Sequence, residues 1–334
     1  MRRRRSNRRC RGFGAACALA CFAAVAFSSR VAAAQGAVAQ EGALFLLAPI
    51  GARAVGMGQA VSASDLGSEA IWWNPAGIAR MTRTEVAVNY SQTVIATGSA
   101  VDVVVPVGRA GAVAAAVYLF DPGQQSVTDP NGATVGSINP RSVVIAASYA
   151  ATFGSRFNAG VTYKHVEDML DCSGSCTVPS YAVSTTAFDF GMQGIADAAK
   201  RLTLAFAVTN LGFRLQVIDA PQADPLPTRV HLAAQYAIPA VERMVTGGVL
   251  KIGAELVDNL SLGNSSLRLG GEFAYKQQYF LRAGLLDGSG DGSRSTVGFG
   301  VQRGGIAMDF AQAFGGFSSA AGKSPTYVTL RFRF

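Results

Sequence analysis

Apolar and polar side chains alternate along most of the chain from residue 84 onward, in runs of about ten residues separated by turn residues. In one such run, Leu267 and Leu269 point to one side of an extended chain, whereas Arg268 points to the other. Alternation with a period of two predicts β-strands, and its persistence predicts an all-β fold. We count fourteen predicted strands, beginning near Thr84, Gly98, Ala110, Pro140, Arg156, Thr185, Arg201, Thr228, Gly247, Ser266, Gln278, Arg294, Gly305 and Pro325.

The less apolar face of these strands distinguishes two all-β architectures. A soluble sandwich would turn a charge-rich face to water. Here that face carries small residues and sparse charges, which suits the interior of a transmembrane antiparallel β-barrel whose apolar face meets lipid. We expect the interior charges to form a network that keeps them paired. Its predicted members are Asp189, Lys251, Glu255, Arg268, Glu272, Arg282 and Asp309, with Lys251 placed near Glu255 and Arg268 near Glu272.

The connections between the predicted strands alternate in length. Those after even-numbered strands are mostly short, as at Gly108-Arg109 and Gly154-Ser155. Long connections follow several odd-numbered strands, at Asp121 to Asn139, Glu167 to Ser184, Gly212 to Pro227 and Gly315 to Ser324. A short connection near Ala96 and a longer turn at Ala240 to Thr246 are the exceptions. An even number of strands with short periplasmic turns and long outer loops is typical of bacterial outer-membrane barrels.

The last predicted strand has apolar residues at alternate positions and ends on an aromatic residue. We expect Phe332 and Phe334 to act as the C-terminal membrane-insertion signal, read by the barrel assembly machinery. The finished barrel would then lie in outer-membrane lipid. The alternative is a soluble β-protein whose terminal strand happens to alternate.

The first 34 residues explain the basic composition of the 334-residue chain. They hold eight of its 29 Lys and Arg residues and no acid, so the remainder carries 21 basic and 21 acidic residues and is formally neutral. This balance argues against nucleic-acid binding. An arginine-rich start, an apolar stretch from Phe13 to Phe27 and Ala32-Ala33-Ala34 predict a secretory signal peptide over residues 1–34. An uncleaved N-terminal anchor is the alternative. We therefore predict export to the outer membrane.

Two cysteines and two histidines are the remaining candidates for metal or catalytic chemistry. Cys172 and Cys176 flank a flexible Ser-Gly-Ser segment, which favours a small disulfide loop over free thiols or a zinc site. His165 and His231 have neither zinc-ligand spacing nor a motif that ties them to a nucleophile. We predict no metal, no cofactor and no enzymatic activity.

The segment before the first strand does not alternate. We therefore divide the chain into a signal peptide (1–34), an N-terminal hatch (35–82) and a barrel (83–334). Ser64 or Asp65 is a candidate N-cap for a short helix that ends before Asn74-Pro75, because a residue before proline is disfavoured in helical geometry. Small, mostly helical material ahead of a barrel is most simply placed inside its lumen.

The hatch also carries a family resemblance. Its motifs are Gly51-Ala52-Arg53 with Gly56-Met57-Gly58, the region of Asp65, and Trp73-Asn74-Pro75-Ala76-Gly77. With fourteen strands and a terminal Phe, the chain resembles the PorV/PorQ family within the FadL-like class of outer-membrane barrels.

The resemblance implies two roles. PorV-like members serve type IX protein secretion, so secreted cargo or secretion components would be partners. FadL-like barrels instead pass hydrophobic small molecules across the outer membrane. The hatch residues to follow in either case are Arg53, Gly56, Gly58, Trp72, Trp73, Asn74 and Pro75. A plainer interpretation is that Asn74-Pro75 only makes a turn and the tryptophans only fill the lumen.

Overall fold

A computed structural model describes residues 41–177, 179–217, 223–260, 265–287, 293–315 and 322–334. The expected signal peptide lies outside these residues. The strands are β1 (Glu85–Gln92), β2 (Thr97–Pro106), β3 (Ala112–Asp121), β4 (Gln125–Thr128), β5 (Thr134–Phe153), β6 (Phe157–Gly174), β7 (Tyr181–Ile195), β8 (Leu202–Gly212), β9 (Arg229–Ile238), β10 (Gly248–Asn259), β11 (Ser266–Tyr275), β12 (Tyr279–Asp287), β13 (Arg294–Arg303), β14 (Ile306–Phe314) and β15 (Thr326–Arg333).

Fourteen of these strands close into one antiparallel barrel. Each pairs with its neighbour in sequence, β1 pairs with β15, and β3 pairs with β5 across the short strand β4, which stays outside the ring. Twelve of the fourteen begin within two residues of their predicted starts. The predicted fourteen-strand barrel is therefore confirmed.

The alternating pattern sorts side chains between the lipid face and the lumen. On β12, Leu281 and Leu285 are 58% and 57% exposed, whereas Arg282 between them is 4% exposed. On β15, Thr329 and Arg331 are buried in the same way. Large apolar residues therefore cover the outside of the barrel, and polar residues line its inside.

Two of the predicted long loops are largely strand, and this part of the prediction was wrong. β5 begins at Thr134 rather than Pro140, and β7 begins at Tyr181 rather than Thr185. β3 pairs with β5 only from Ser142 onward, so the preceding part of β5 continues past the barrel rim. No residue of this extension is fully buried. Because both faces meet water there, the sequence lacks the apolar alternation that marks the barrel strands.

We call this extension the raised sheet. It consists of β4 with residues 134–141 of β5, 169–174 of β6 and 181–183 of β7. The eight residues 134–141 correspond to a length of about 25 Å along the strand. A disulfide between Cys172 and Cys176 closes the turn at its end, as predicted.

The hatch, residues 42–82, lies inside the barrel. Its helices are a 3₁₀ turn at Leu44–Leu47, α1 (Ala52–Gly56), a 3₁₀ turn at Gly67–Glu69, α2 (Ala70–Trp73) and a 3₁₀ helix at Pro75–Arg80. α2 ends before Asn74-Pro75 as predicted, but neither Ser64 nor Asp65 caps it. Instead, Asn74 caps the following 3₁₀ helix by accepting a hydrogen bond from the Ala76 N–H.

The two ends of the barrel differ. The long connections and the raised sheet mark one end, which we call the long-loop end. The other, the short-turn end, has tight turns and one six-residue helix, α3 (Pro239–Met244), in the predicted longer turn. In outer-membrane barrels the short turns face the periplasm. Within the described ranges, no helix has the length and apolar character needed to span a membrane.

Candidate functional site

The hatch packs against the barrel wall without intervening side chains at several points. A Cβ added at Gly284 of β12 would overlap the backbone of Gly58, and one at Gly270 of β11 would overlap the carbonyl of Met57. Gly58 itself has a positive φ of 59°, which favours glycine. Gly56 lies equally close to the wall, where an added Cβ would be 3.0 Å from the Gly298 Cα. Gly56 and Gly58 of the hatch therefore allow close packing of its backbone against the wall.

Arg53 of α1 anchors the hatch to the wall through a buried ion pair. Its Nε and Nη2 each lie 2.9 Å from a carboxylate oxygen of Glu272, and its Nη1 donates to the Asp65 carbonyl at 2.6 Å. Burial lowers the pKa of Arg53, but the surrounding carboxylates, Glu272 foremost among them, raise it overall. The Arg53 guanidinium thus joins α1 to β11 of the wall and to the loop that follows α1 in the hatch.

This ion pair continues as a chain along the wall. Arg282 Nε lies 2.7 Å from Glu272, its Nη1 lies 2.6 Å from Asp309, and Asp309 pairs in turn with Arg331. Burying several charges requires such pairing, because an unpaired buried charge is costly. The expected network of paired interior charges is present here.

The pairing within the network differs from the predicted one in two places. The strand register sets Lys251 opposite Glu272 and Glu255 opposite Arg268. Glu272 bonds Arg53 and Arg282 rather than Arg268, and Glu255 bonds His231 at 2.8 Å rather than Lys251. Charges on neighbouring strands and on the hatch meet inside a barrel, so spacing along one strand was a poor guide to partners.

The Trp-Trp-Asn-Pro segment makes specific contacts as well as filling space. Trp72 Nε1 donates to Asp102 at 2.6 Å, and Trp73 Nε1 donates to the Ile50 carbonyl at 2.9 Å. Asn74 Nδ2 donates to Ser62 and Met192 carbonyls at 2.9 and 3.2 Å.

Pro75 lies against the wall at Gly160 of β6, where an added Cβ would come within 2.6 Å of the Pro75 carbonyl carbon. Trp72, Asn74 and Pro75 therefore contact the barrel wall, whereas the Trp73 hydrogen bond joins two parts of the hatch.

Sequence reasoning placed Glu255 in the lumen but missed its contact with the hatch, and it did not single out Gln193. Glu255 accepts the backbone N–H groups of Val61 and Ser62, each at 2.8 Å, as well as the Ser62 hydroxyl. Gln193 donates to the Ser62 carbonyl at 2.8 Å. The sequence shows only that these strand positions are polar and face the interior. It does not show which atoms of the hatch their side chains contact.

Glu69 is another residue that the sequence did not single out. It is fully buried in the 3₁₀ turn, and neither carboxylate oxygen has a hydrogen-bond partner among the described residues. Burial raises the pKa of Glu69 to about 7, against the opposing effect of Arg331. Such an orphaned carboxylate favours the protonated form.

Two cavities lie on opposite sides of the hatch. One, of about 780 Å³, faces the long-loop end and is lined on the hatch side by Phe45, Ile50 and Trp72. Its lining also includes five basic side chains: Lys164, Arg229, His231, Arg268 and Arg294. The other, of about 380 Å³, faces the short-turn end and is mainly polar. In the described parts of the chain, no group of His, Cys, Asp and Glu is placed to hold a metal ion.

A closed fourteen-strand barrel with a helical hatch in its lumen defines a FadL-like outer-membrane barrel. Similar solved structures have this fold. The CymD monoaromatic hydrocarbon channel aligns with a TM-score of 0.58 at 10% identity, covering 88% of this chain and 99% of its own. The Pseudomonas putida toluene transporter TodX aligns with a TM-score of 0.56 at 12% identity, covering 84% and 96%. A Pseudomonas aeruginosa FadL homologue gives a TM-score of 0.50 at 12% identity, covering 86% and 98%.

The family is narrower than the fold. A family model described as "Type IX secretion system protein PorV" matches residues 31–246, which is more than half of the chain, and the chain belongs to this family. The resemblance noted in the hatch motifs is thereby confirmed. No curated protein matches the chain significantly.

Proposed function

We propose that this protein is a non-enzymatic docking component of a type IX-like secretion pathway, which receives exported proteins at the outer membrane. The observation that carries the proposal is the raised sheet. Its longest strand continues for about 25 Å of chain beyond the rim, on a barrel whose other strands are mostly 8–12 residues long. Membership of the PorV family supports a role in secretion.

The raised sheet has the properties of a protein-binding surface. β4 pairs with β5 along one side, and in the described chain its other side pairs with no strand. An open strand edge offers backbone N–H and C=O groups to an extended segment of a partner. The Cys172–Cys176 disulfide closes the neighbouring turn and limits its motion. A firm, raised edge suits capture of a protein better than passage of a solute.

The hatch supports the same role. Wall residues from strands all around the barrel contact it, and its ion pairs and direct backbone contacts leave it fixed in the lumen. A protein that docks cargo needs a closed barrel, because the open lumen of a fourteen-strand barrel would make the outer membrane leaky.

The test removes the raised sheet and keeps the barrel. In the variant, residues 123–140 and 170–181 are each replaced by Asn-Gly, which leaves Asp121 next to Arg141 and Met169 paired with Ala182. We expect the variant to retain the folded barrel in heated-against-unheated electrophoresis and to lose delivery of exported proteins to the cell surface. The matched control replaces residues 240–244 at the short-turn end. Normal delivery by the raised-sheet variant would refute the proposal.

A second candidate function rests on the cavity at the long-loop end. Its aromatic and aliphatic side and its volume of about 780 Å³ suit a hydrophobic small molecule, and sites of that kind commonly span 300–1,000 Å³. This role predicts that the purified protein binds an apolar fluorescent dye. Leu47→Arg, in the cavity lining, should abolish binding, and Met244→Arg on exposed α3 should not. Equal binding by both variants would exclude the cavity as the site.

A further inference from the structure

The cavity at the short-turn end has an unusual concentration of positive charge. Its volume is about 380 Å³, within the range of small-molecule sites. Hatch residues and Arg83 form part of the lining, and the rest comes from β10, β11, β12, β13 and β15 with two turn residues. Seven cationic side chains line it: Arg53, Arg80, Arg83, Lys251, Arg282, Arg331 and Arg333.

The carboxylates around the cavity do not balance these cations. Glu272 and Asp65 line the cavity. Asp309 and Glu85 lie behind it and pair with Arg331 and Arg333. Even with the buried Glu69 counted as charged, seven cations face five carboxylates, and the cavity keeps a surplus of two positive charges.

Several donors in the cavity wall also lack acceptors. Arg331 is 3% exposed and bonds Asp309 through Nη2, but its Nε and Nη1 are buried without a hydrogen-bond partner in the described chain. Arg80 Nη2 is likewise buried without a hydrogen-bond partner among the described residues. Lys251 has no carboxylate within ion-pair distance among the described residues, although Glu272 lies opposite it in register. Buried donors of this kind require an explanation, because such groups are nearly always satisfied.

We propose that this cavity binds a small dianion of phosphate chemistry that enters from the periplasm. Two negative charges would neutralise the surplus, and phosphate oxygens accept hydrogen bonds from guanidinium groups in paired geometry. Lys251 would act as a point charge on the bound anion. The proposal does not depend on whether the protein docks cargo or conducts solutes.

An anion bound in this cavity would contact the hatch from the short-turn end. Arg53, Arg80 and Arg83 belong to or follow the hatch, whereas Lys251, Arg282 and Arg331 belong to the wall. An anion between the two sets would bridge surfaces that otherwise bring like charges together. Occupancy therefore stabilises the closed position of the hatch.

The test uses the purified full-length protein in detergent micelles at about pH 8, with inorganic phosphate, which is a dianion at that pH, as the probe and sodium chloride at matched ionic strength. We expect saturable binding in titration calorimetry and a rise in the temperature at which the unheated electrophoretic form is lost. Lys251→Gln should weaken binding about tenfold, because it removes one charge-assisted contact. The same change at Lys200, an exposed residue of a turn at this end but outside the cavity, should leave binding unchanged.

The melting temperature of the anion-free protein distinguishes a ligand site from a group of charges that only stabilises the fold. Without anion, Lys251→Gln should raise the melting temperature, since it reduces the surplus of positive charge. A fall would indicate that Lys251 serves an internal ion pair and would overturn the proposal.

A third reading distinguishes the two sources of phosphate. If phosphatidate micelles protect the protein in a Lys251-dependent way and inorganic phosphate does not, the ligand is a lipid headgroup. If neither probe binds, or both bind Lys251→Gln and wild type equally, the site does not exist.

Discussion

Replacement of Glu69 by glutamine changes one buried charge without changing side-chain shape. In the folded protein the pKa of Glu69 is about 7, compared with 4.5 for an exposed glutamate. The folded state therefore favours the protonated acid. This preference contributes fully to stability below about pH 4.5 and is lost as the pH rises through about 7. Above that pH the wild-type protein carries an unsatisfied buried charge.

The magnitude follows from the size of the pKa change. A change of one pKa unit corresponds to about 1.4 kcal/mol, so Glu69 costs the folded state about 3 kcal/mol at pH 8 relative to acid pH. Glu69→Gln resembles the protonated form at every pH. We expect it to match the wild type near pH 4 and to exceed its free energy of unfolding by about 3 kcal/mol at pH 8.

The assay is urea unfolding in detergent micelles between pH 4 and pH 8.5, followed by tryptophan fluorescence. The chain has only two tryptophans, Trp72 and Trp73, and both lie in the hatch, so the signal reports on the hatch itself. Glu242→Gln on exposed α3 is the control and should change little. The reasoning would be refuted if the free energies of unfolding of Glu69→Gln and wild type differed by the same amount at pH 4 and pH 8. It would also be refuted if the variant were less stable than wild type at pH 8.

Three further changes test how the hatch and the raised sheet are held. Arg53→Ala leaves Glu272 with one cationic partner fewer, and we expect a loss of about 3 kcal/mol of stability in the same unfolding assay. Gly284→Ala should displace the hatch and let a small dye leak into proteoliposomes, whereas Gly194→Ala, where an added Cβ has ordinary contacts, should not. Cys172→Ser should leave the heat-induced electrophoretic shift of the barrel unchanged but make the raised sheet easier to cleave with protease, which limited digestion measures.

Much of the barrel could be predicted from the sequence because lipid imposes a strict pattern. A strand such as β12 must turn Leu281 and Leu285 outward and Arg282 inward, and this alternation fixes its position to within a residue. Above the rim this constraint ends. The first residues of β5 are hydrogen-bonded strand with water on both faces, so their sequence resembles a loop.

The hatch motifs singled out residues that contact the barrel wall, but they did not indicate the partners of these residues. Arg53 was a candidate from its motif, yet its partner Glu272 lies 219 positions away. Glu69 sits in a turn of three residues and belongs to no pattern, so its burial became visible only in the folded arrangement. Contacts between the hatch and the wall depend on which strand lies next to which helix in the folded barrel. Periodicity along a single strand does not contain this information.

The most direct test of the docking role is site-specific photocrosslinking in secreting cells. A photoreactive amino acid at Gln125, on the open edge of β4, should crosslink to an exported protein or a secretion component that mass spectrometry identifies. The same amino acid at Leu281, on the lipid face, should give no such product. Protein crosslinks at Gln125 and none at Leu281 are the predicted result. Active secretion with no protein crosslinked at Gln125 would contradict the proposed function.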